Sequence, residues 1–192
     1  MPEEKIQILS ENVVRYSCKE SLSELAKYDS KKVCLSILDE IDNIGKKHHP
    51  EYTFMKNEHG KVVLNYLVSR IPNKNKVKTA NKILRIIEDP SRNIKFVEEL
   101  IFVLQEVATK QHAKRISRIF RIDQRMSHPR YYLILLETLE KLGNSSALKE
   151  VQRFRSFALE RIPASNSEVD CVDIETKAHI FDVARRVEKV LA

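Results

Sequence analysis

The chain has 192 residues, of which 42% are hydrophobic and 32% charged, with three glycines and no tryptophan. These proportions are typical of one soluble globular domain, and scarce glycine argues against the many tight turns of an all-β protein. No apolar run reaches the roughly eighteen residues of a membrane span, so we expect none. The net charge of +7 is uneven: residues 61–161 carry 21 Lys/Arg against ten Asp/Glu, whereas residues 1–60 and 162–192 are each slightly acidic.

The N-terminal part, residues 1–60, predicts short helices that form a degenerate first repeat or a cap. Apolar residues recur at helical spacing near positions 6–13, 20–27 and 33–44. Asp29 or Ser30 suits the N-cap of the third helix, because a short side-chain oxygen accepts from free backbone N–H groups. Gly45 is a natural stop for that helix. Residues 48–60 predict a longer connection.

The centre of the chain carries a pattern of two short apolar segments that recurs every 35 or 36 residues. Such a period is typical of an α-helical solenoid. The clearest copy places its apolar residues at Leu100, Leu104, Val107, Ala113, Ile116 and Ile119. The next copy places them at Leu135, Leu139, Leu142, Leu148, Val151 and Phe154. A looser copy precedes both, at Leu64, Val68, Ile71, Val77, Ala80 and Ile83.

This pattern predicts three helical hairpins within residues 61–161 of one single domain. Their paired segments are 61–71 with 75–88, 93–108 with 110–122, and 129–142 with 145–161. Proline inside a helix costs about 3 kcal/mol, and the prolines at or between these segment ends are Pro50, Pro72, Pro90, Pro129 and Pro163.

A polar loop at 162–173 then leads to a C-terminal helix at 174–192. That helix either caps the last repeat or binds a partner, and capping is favoured because an uncovered terminal repeat leaves an apolar face in water.

The stretch from Leu135 to Leu148 resembles a HEAT-type repeat, in which a first helix ends in Leu-Gly, turns tightly and enters a second helix. The resemblance covers about residues 61–158. It implies a right-handed, all-α solenoid, curved so that the second helices line the concave side. HEAT units often carry Asp in the turn and Arg six residues later. Here the turn positions are Asn73, Thr109 and Asn144, and the later positions are Thr79, Arg115 and Glu150, of which only Arg115 fits.

Basic residues occupy equivalent positions of the three predicted second helices, at spacings that put each set on one helix face. We call these eight residues the basic ridge: Lys78, Lys82, Arg85, Lys114, Arg118, Arg121, Lys149 and Arg153. Stacked hairpins would set the three faces side by side, and such a surface attracts an acidic protein or phosphate groups. The alternative is a solvated basic face with no binding role. We expect the side chains of its central row, Lys82, Arg118 and Arg153, to be exposed.

Other candidate sites are weaker. His48, His49 and His59 lack a companion at metal-ligand spacing, and Cys18, Cys34 and Cys171 fit buried thiols in a reducing cytosol. Asp123 near Tyr131 and Tyr132, beside a basic helix, would suit a HEAT-like DNA repair glycosylase. No Gly-rich phosphate loop, Ser/His/Asp arrangement or HExxH motif occurs.

The sequence therefore predicts a non-enzymatic helical-repeat adaptor that needs no cofactor or metal and binds an acidic protein through the basic ridge. The alternative is a nucleic-acid-binding protein whose ridge contacts phosphates. No aromatic residue interleaves the basic positions, which disfavours stacking on single-stranded bases. The N-terminus lacks the apolar core of a signal peptide, so we expect a cytoplasmic protein, or a nuclear one in a eukaryote. The oligomeric state is left open.

Overall fold

The structure of the protein is a computed structural model, and it describes residues 2–16, 18–46, 58–71, 73–89, 100–121, 130–161 and 174–192. These residues form ten α-helices joined by turns and short 3₁₀ segments, and they include no β-strand. The predicted all-α class is therefore confirmed. Within the same ranges, no helix combines the length and the apolar content that crossing a membrane requires.

The chain divides into two compact units, Met1–Val107 and Ala108–Ala192. The boundary falls inside the second predicted hairpin, between its two helices. The helices of the first unit are α1 (Pro2–Tyr16), α2 (Lys19–Leu25), α3 (Ser30–Lys46), α4 (Glu58–Arg70), α5 (Lys76–Glu88) and α6 (Leu100–Val107). Those of the second unit are α7 (Ala113–Arg118), α8 (Arg130–Leu142), α9 (Leu148–Arg161) and α10 (Ile174–Leu191). The single-domain organisation stays a prediction.

The core of the first unit forms where α3 packs against α1, α4 and α5, and where α6 packs against α4 and α5. Asp29 caps α3 as predicted, because its Oδ1 accepts from the Lys32 N–H at 3.1 Å. The predicted stop at Gly45 falls one residue short of the end of α3, a difference usual at helix ends. Fully buried residues of this core include Val13, Leu25, Ile37, Leu38, Ile41, Leu67, Ile83, Ile87, Leu100 and Leu104.

Both helices of the first predicted hairpin form, but the first of them begins earlier than expected and buries different residues. Helix α4 begins at Glu58 and so takes in Gly60, which the sequence placed in a connection. Val63 and Leu67 are buried, whereas Val68 is 36% exposed and Val77 40%. Ile71, Ala80 and Ile83 are buried as the pattern predicts, so the 36-residue spacing is wrong at Val68 and Val77.

The second unit is a bundle in which α10 packs against both helices of the last predicted hairpin, α8 and α9. Its buried face carries Ile180, Val183, Ala184, Val187 and Leu191. Arg186 donates from Nε and Nη2 to the two carboxylate oxygens of Glu140 on α8, at 2.8 and 2.9 Å. Arg155 on α9 pairs with Glu188 at 2.7 Å. This packing is what the capping prediction for the C-terminal helix requires.

Each predicted second helix begins with a 3₁₀ turn, at Asn73–Asn75, Lys110–His112 and Ser145–Ala147. Side chains accept hydrogen bonds from backbone N–H groups at the start of two of these turns. The Thr109 N–H donates to Nδ1 of His112 at 3.0 Å, and the Asn144 Oδ1 accepts from the Ser146 N–H at 3.0 Å. Asn144 Nδ2 also donates to the Lys110 carbonyl oxygen at 2.8 Å. Equivalent turns of the second unit are thus hydrogen-bonded to each other.

The turn between α8 and α9 uses the Leu-Gly pair that the sequence singled out. Gly143 adopts a φ of 55°, the left-handed conformation that costs glycine least. Its N–H donates to the Leu139 carbonyl oxygen at 3.1 Å, which satisfies an acceptor at the end of α8. A residue with a Cβ would be strained here whatever the surrounding space.

Candidate binding surface

The structure distributes the basic ridge over both units. Lys78, Lys82 and Arg85 lie on α5 in the first unit. The other five residues lie in the second unit, and we call them the basic cluster: Lys114, Arg118, Arg121, Lys149 and Arg153. The cluster occupies α7, the 3₁₀ turn at 119–121 that follows it, and α9.

Apolar residues on one side of α7 and α9 hold the basic cluster at the surface. Ile116 and Val151 are fully buried, and Phe154 is 3% exposed. The rings of Phe120 and Phe154 stack with centroids 4.4 Å apart, so the 3₁₀ turn that follows α7 packs directly on α9. Because a helix that buries one face turns the opposite face to water, the cations of both helices are displayed.

Four cations of the cluster are exposed and have no ion pair among the described residues: Lys114, Arg118, Lys149 and Arg153. Their charges are thus available to a ligand in water. Lys149 and Arg153 are four residues apart on α9 and share a face, as do Lys114 and Arg118 on α7.

The fifth cation, Arg121, is held by Glu150 of α9. Its Nε donates to Glu150 Oε2 at 2.8 Å, and its Nη2 donates to Oε1 of the same carboxylate. This bidentate contact lowers the pKa of Glu150, and the positive charges of Arg153 and Lys149 lower it further. Only 14% of the Glu150 side chain is exposed, against 54% of Arg121. One fixed, ionised carboxylate therefore stands among the cations.

The three basic residues of α5 do not form an equivalent surface. Lys82 forms an ion pair with Asp39 of α3, and only 13% of the Lys82 side chain is exposed. The expectation that Lys82 is exposed is wrong, because α3 packs against this part of α5 and supplies a carboxylate. Lys78 and Arg85 on either side of it are exposed.

The features proposed for a metal or an enzymatic site do not come together among the described residues. Tyr131 is 1% exposed and belongs to the core, while Asp123 lies outside the described part of the chain. His48, His49 and the side chain of His59 also lie outside it. No group of three or more His, Cys, Asp or Glu side chains in the described ranges has the arrangement of a metal site.

The cysteines differ in environment. Cys34 is buried in α3, and burial raises the pKa of its thiol to about 11. Cys18 is half-buried at the start of α2, where its thiol donates to a carboxylate oxygen of Glu20 at 3.4 Å. Cys171 lies outside the described residues. Cys34 thus fits the prediction of an inert buried thiol.

Sequence reasoning missed the two carboxylates that modify the ridge, Asp39 and Glu150. Glu150 was visible as a departure from the HEAT pattern, and its position beside Lys149 and three residues before Arg153 was a usable signal. Asp39 gave no signal, because its contact with Lys82 spans 43 positions of the chain. Local charge patterns identify a helix face but not the helix that packs on it.

The chain matches no protein-family model, and it matches neither a curated protein nor a solved structure.

Proposed function

We propose that the protein is a non-enzymatic adaptor, built from HEAT-like helical hairpins, that binds an acidic protein through the basic cluster of its second unit. The observation that carries the proposal is a set of four exposed cations on two adjoining helices, α7 and α9, none of which has an ion pair within the described part of the chain. We place the protein in the cytoplasm, or in the nucleus of a eukaryotic cell. The hydrogen bond from Asn144 to Lys110 supports the hairpin repeat, because it joins equivalent turns of successive hairpins.

Glu150 favours an acidic protein over a nucleic acid as the partner. A phosphate backbone presents a continuous row of anions, and an ionised carboxylate fixed among the cations repels it. An acidic protein surface can instead offer carboxylates to the cations and a donor to Glu150, since interfaces match charge locally. Arginine side chains such as those of Arg118 and Arg153 also bind carboxylates through two parallel hydrogen bonds.

The aromatic residues described on the same two helical segments give no support to base stacking. Phe120 is 4% exposed and Phe154 is 3% exposed, and their rings stack on each other. Bases that stack on a protein need accessible ring faces. Among the side chains that the structure describes on these two segments, the cluster therefore presents charge and no accessible aromatic ring.

The experiment compares three labelled probes by fluorescence anisotropy at two salt concentrations: an acidic polypeptide (poly-glutamate), duplex DNA and single-stranded RNA. We expect the full chain to bind poly-glutamate most tightly, with an affinity that falls as salt rises. The triple charge reversal Lys114→Glu, Arg118→Glu and Arg153→Glu should abolish that binding while leaving the thermal unfolding temperature close to that of the parent, because all three side chains are exposed.

A triple substitution of exposed charged residues outside the basic cluster, Glu106→Gln, Glu137→Gln and Lys141→Gln, is the control for altered surface composition, and it should leave binding unchanged. Tighter binding to duplex DNA than to poly-glutamate, lost in the charge-reversal variant, would show that the same cluster binds phosphates and would overturn the choice of partner. If the charge-reversal variant binds all three probes as the parent does, the cluster is a solvated face with no binding role.

A further inference from the structure

A groove in the first unit lies between the starting turns of two helices that pack together, α3 and α5. It is separate from the basic cluster, and the argument for it does not depend on the proposed function. Its lining includes Asp29, Lys31, Lys32, Leu35, Asn75 and Lys78. Three lysines and one amide thus face a common opening from two helix N-termini.

The lysines lie in the first turns of α3 and α5, where acidic side chains are the usual choice. The N-terminus of a helix carries a partial positive charge, so acidic residues are preferred there and basic ones disfavoured. The first turn of neither helix contains an acidic residue, whereas Lys31 and Lys32 lie in the first turn of α3, and Lys76 and Lys78 in the first turn of α5. An anion in the groove would offset both the helix ends and the lysines.

Asn75 supplies an independent observation that points to a ligand. It occupies the N-cap position of α5, but its side chain makes no capping hydrogen bond. The residue is only 8% exposed, and its Nδ2 group is buried without a hydrogen-bond partner among the described residues. A buried donor without an acceptor costs free energy, and native proteins rarely leave one without a reason. An anionic oxygen in the groove would accept its hydrogen bond.

Two carboxylates limit what the groove attracts. Asp29 is part of the lining, but its Oδ1 already accepts from the Lys32 N–H and caps α3. Glu3 of α1 does not line the groove, but it accepts a hydrogen bond from Lys32 Nζ at 2.7 Å, and both side chains are largely exposed. The hydrogen bond to Lys32 lowers the pKa of Glu3, so Glu3 stays ionised and occupies one of the three cations.

We propose that this groove binds a phosphate monoester, which accepts hydrogen bonds from Asn75 Nδ2 and from Lys31 and Lys78, and which displaces Glu3 from Lys32. A phosphate dianion fits these groups better than a carboxylate does, because it offers three acceptor oxygens and up to two negative charges to a set of separate donors. Glu3 then acts as an internal competitor for the site.

The test is a titration of the isotope-labelled full chain with inorganic phosphate, followed by NMR at the Asn75 side-chain amide and the backbone amides of α3 and α5. We expect saturable shifts at Asn75, Lys31 and Lys78. Lys78→Gln should raise the Kd about tenfold, whereas Arg85→Gln, which removes the same charge from an exposed site on the same helix, should leave it unchanged. Glu3→Gln should lower the Kd severalfold, because it frees Lys32.

The proposal is overturned if phosphate causes no saturable shift at Asn75. It is also overturned if Lys78→Gln and Arg85→Gln weaken binding equally, or if Glu3→Gln leaves the Kd unchanged. The proposal remains testable even if another variant unfolds, because Glu3→Gln is expected to increase the affinity for phosphate, and an unfolded protein would not show such an increase. A parallel titration with a phosphoserine peptide separates the sources: binding about tenfold tighter than inorganic phosphate indicates a phosphorylated protein, and equal binding indicates a small phosphorylated ligand.

Discussion

Helices α5 and α7 carry basic residues at equivalent positions of the repeat pattern, yet their charges differ in availability. On α5 the central cation, Lys82, is paired with Asp39 and mostly covered by neighbouring structure. On α7 the equivalent residue, Arg118, is exposed and has no ion pair among the described residues. The same spacing thus gives a structural contact in the first unit and an open surface in the second. What packs beside a helix decides whether its charged stripe is available for binding.

The cores of the two units provide the test with the largest expected effect. Leu104 on α6 and Leu139 on α8 occupy equivalent repeat positions, and both are fully buried. We expect Leu104→Ala and Leu139→Ala each to lower the free energy of unfolding by about 2–5 kcal/mol, through lost burial and the cavity left behind. Urea unfolding followed by circular dichroism measures both. Val68→Ala on α4, at a 36%-exposed position, should cost much less; a cost equal to that of Leu104→Ala would contradict the register described here.

The hydrogen bond between equivalent turns of the second unit should give the next largest effect on stability. Asn144 caps the 3₁₀ turn before α9 and also donates to the Lys110 carbonyl oxygen. Asn144→Ala should therefore cost about 1–2 kcal/mol, the upper part of the range for a lost helix cap. Ser145→Ala, at the neighbouring exposed position, is the matched control and should change stability by less than about 0.5 kcal/mol. Equal melting temperatures for the two variants would show that the turn does not depend on Asn144.

A double-mutant cycle compares the central cations of α5 and α7 directly. Lys82→Gln and Asp39→Asn should show a coupling of about 0.5–1 kcal/mol, because the pair is partly covered. Arg118→Gln alone should change stability by less than about 0.5 kcal/mol. A coupling of zero between Lys82 and Asp39 would remove the distinction between the two helices.

The dependence of stability on pH should report the contact between Arg121 and Glu150. The contact holds the folded-state pKa of Glu150 below its ordinary value of 4.5. The stabilisation is therefore present above about pH 4.5 and is lost as the pH falls through the folded-state pKa. We expect Glu150→Gln to be less stable than the parent at neutral pH, with the difference shrinking in acid. A difference that grows as the pH falls would contradict this contact; Glu106→Gln, on an exposed residue of α6, is the control.

The smallest expected effect is a difference between the rates at which Cys18 and Cys34 react with thiol reagents. Cys34 has a pKa raised to about 11 by burial, and thiol reagents attack the thiolate. Cys34 should therefore react far more slowly than the half-buried Cys18 in the native protein, and mass spectrometry of alkylated peptides measures both rates. Denaturant should bring the rates together. Rapid modification of Cys34 in the native state would show that α3 opens.

The all-α class and most helix boundaries could be predicted from the sequence, because apolar spacing and turn residues are local signals. The predicted segment 145–161, for example, corresponds to α9 with its whole 3₁₀ turn, and the segment 75–88 corresponds to α5 with the last residue of its 3₁₀ turn. The exposure of Val68 and Val77 could not be predicted from the sequence, since α4 and the start of α5 carry apolar residues on more than one face. Nor could the pairing of Lys82 with Asp39, because a contact across 43 positions leaves no trace in local spacing.

The most direct test of the central claim compares two variants that each remove two positive charges. One is Lys114→Gln with Arg118→Gln on α7, and the other is Lys82→Gln with Arg85→Gln on α5. Both are titrated against poly-glutamate by anisotropy at the same low salt concentration. We expect the α7 variant to raise the Kd about tenfold or more and the α5 variant to raise it less than about twofold. Equal losses from the two variants would mean that only total charge matters, and would contradict a binding surface in the second unit.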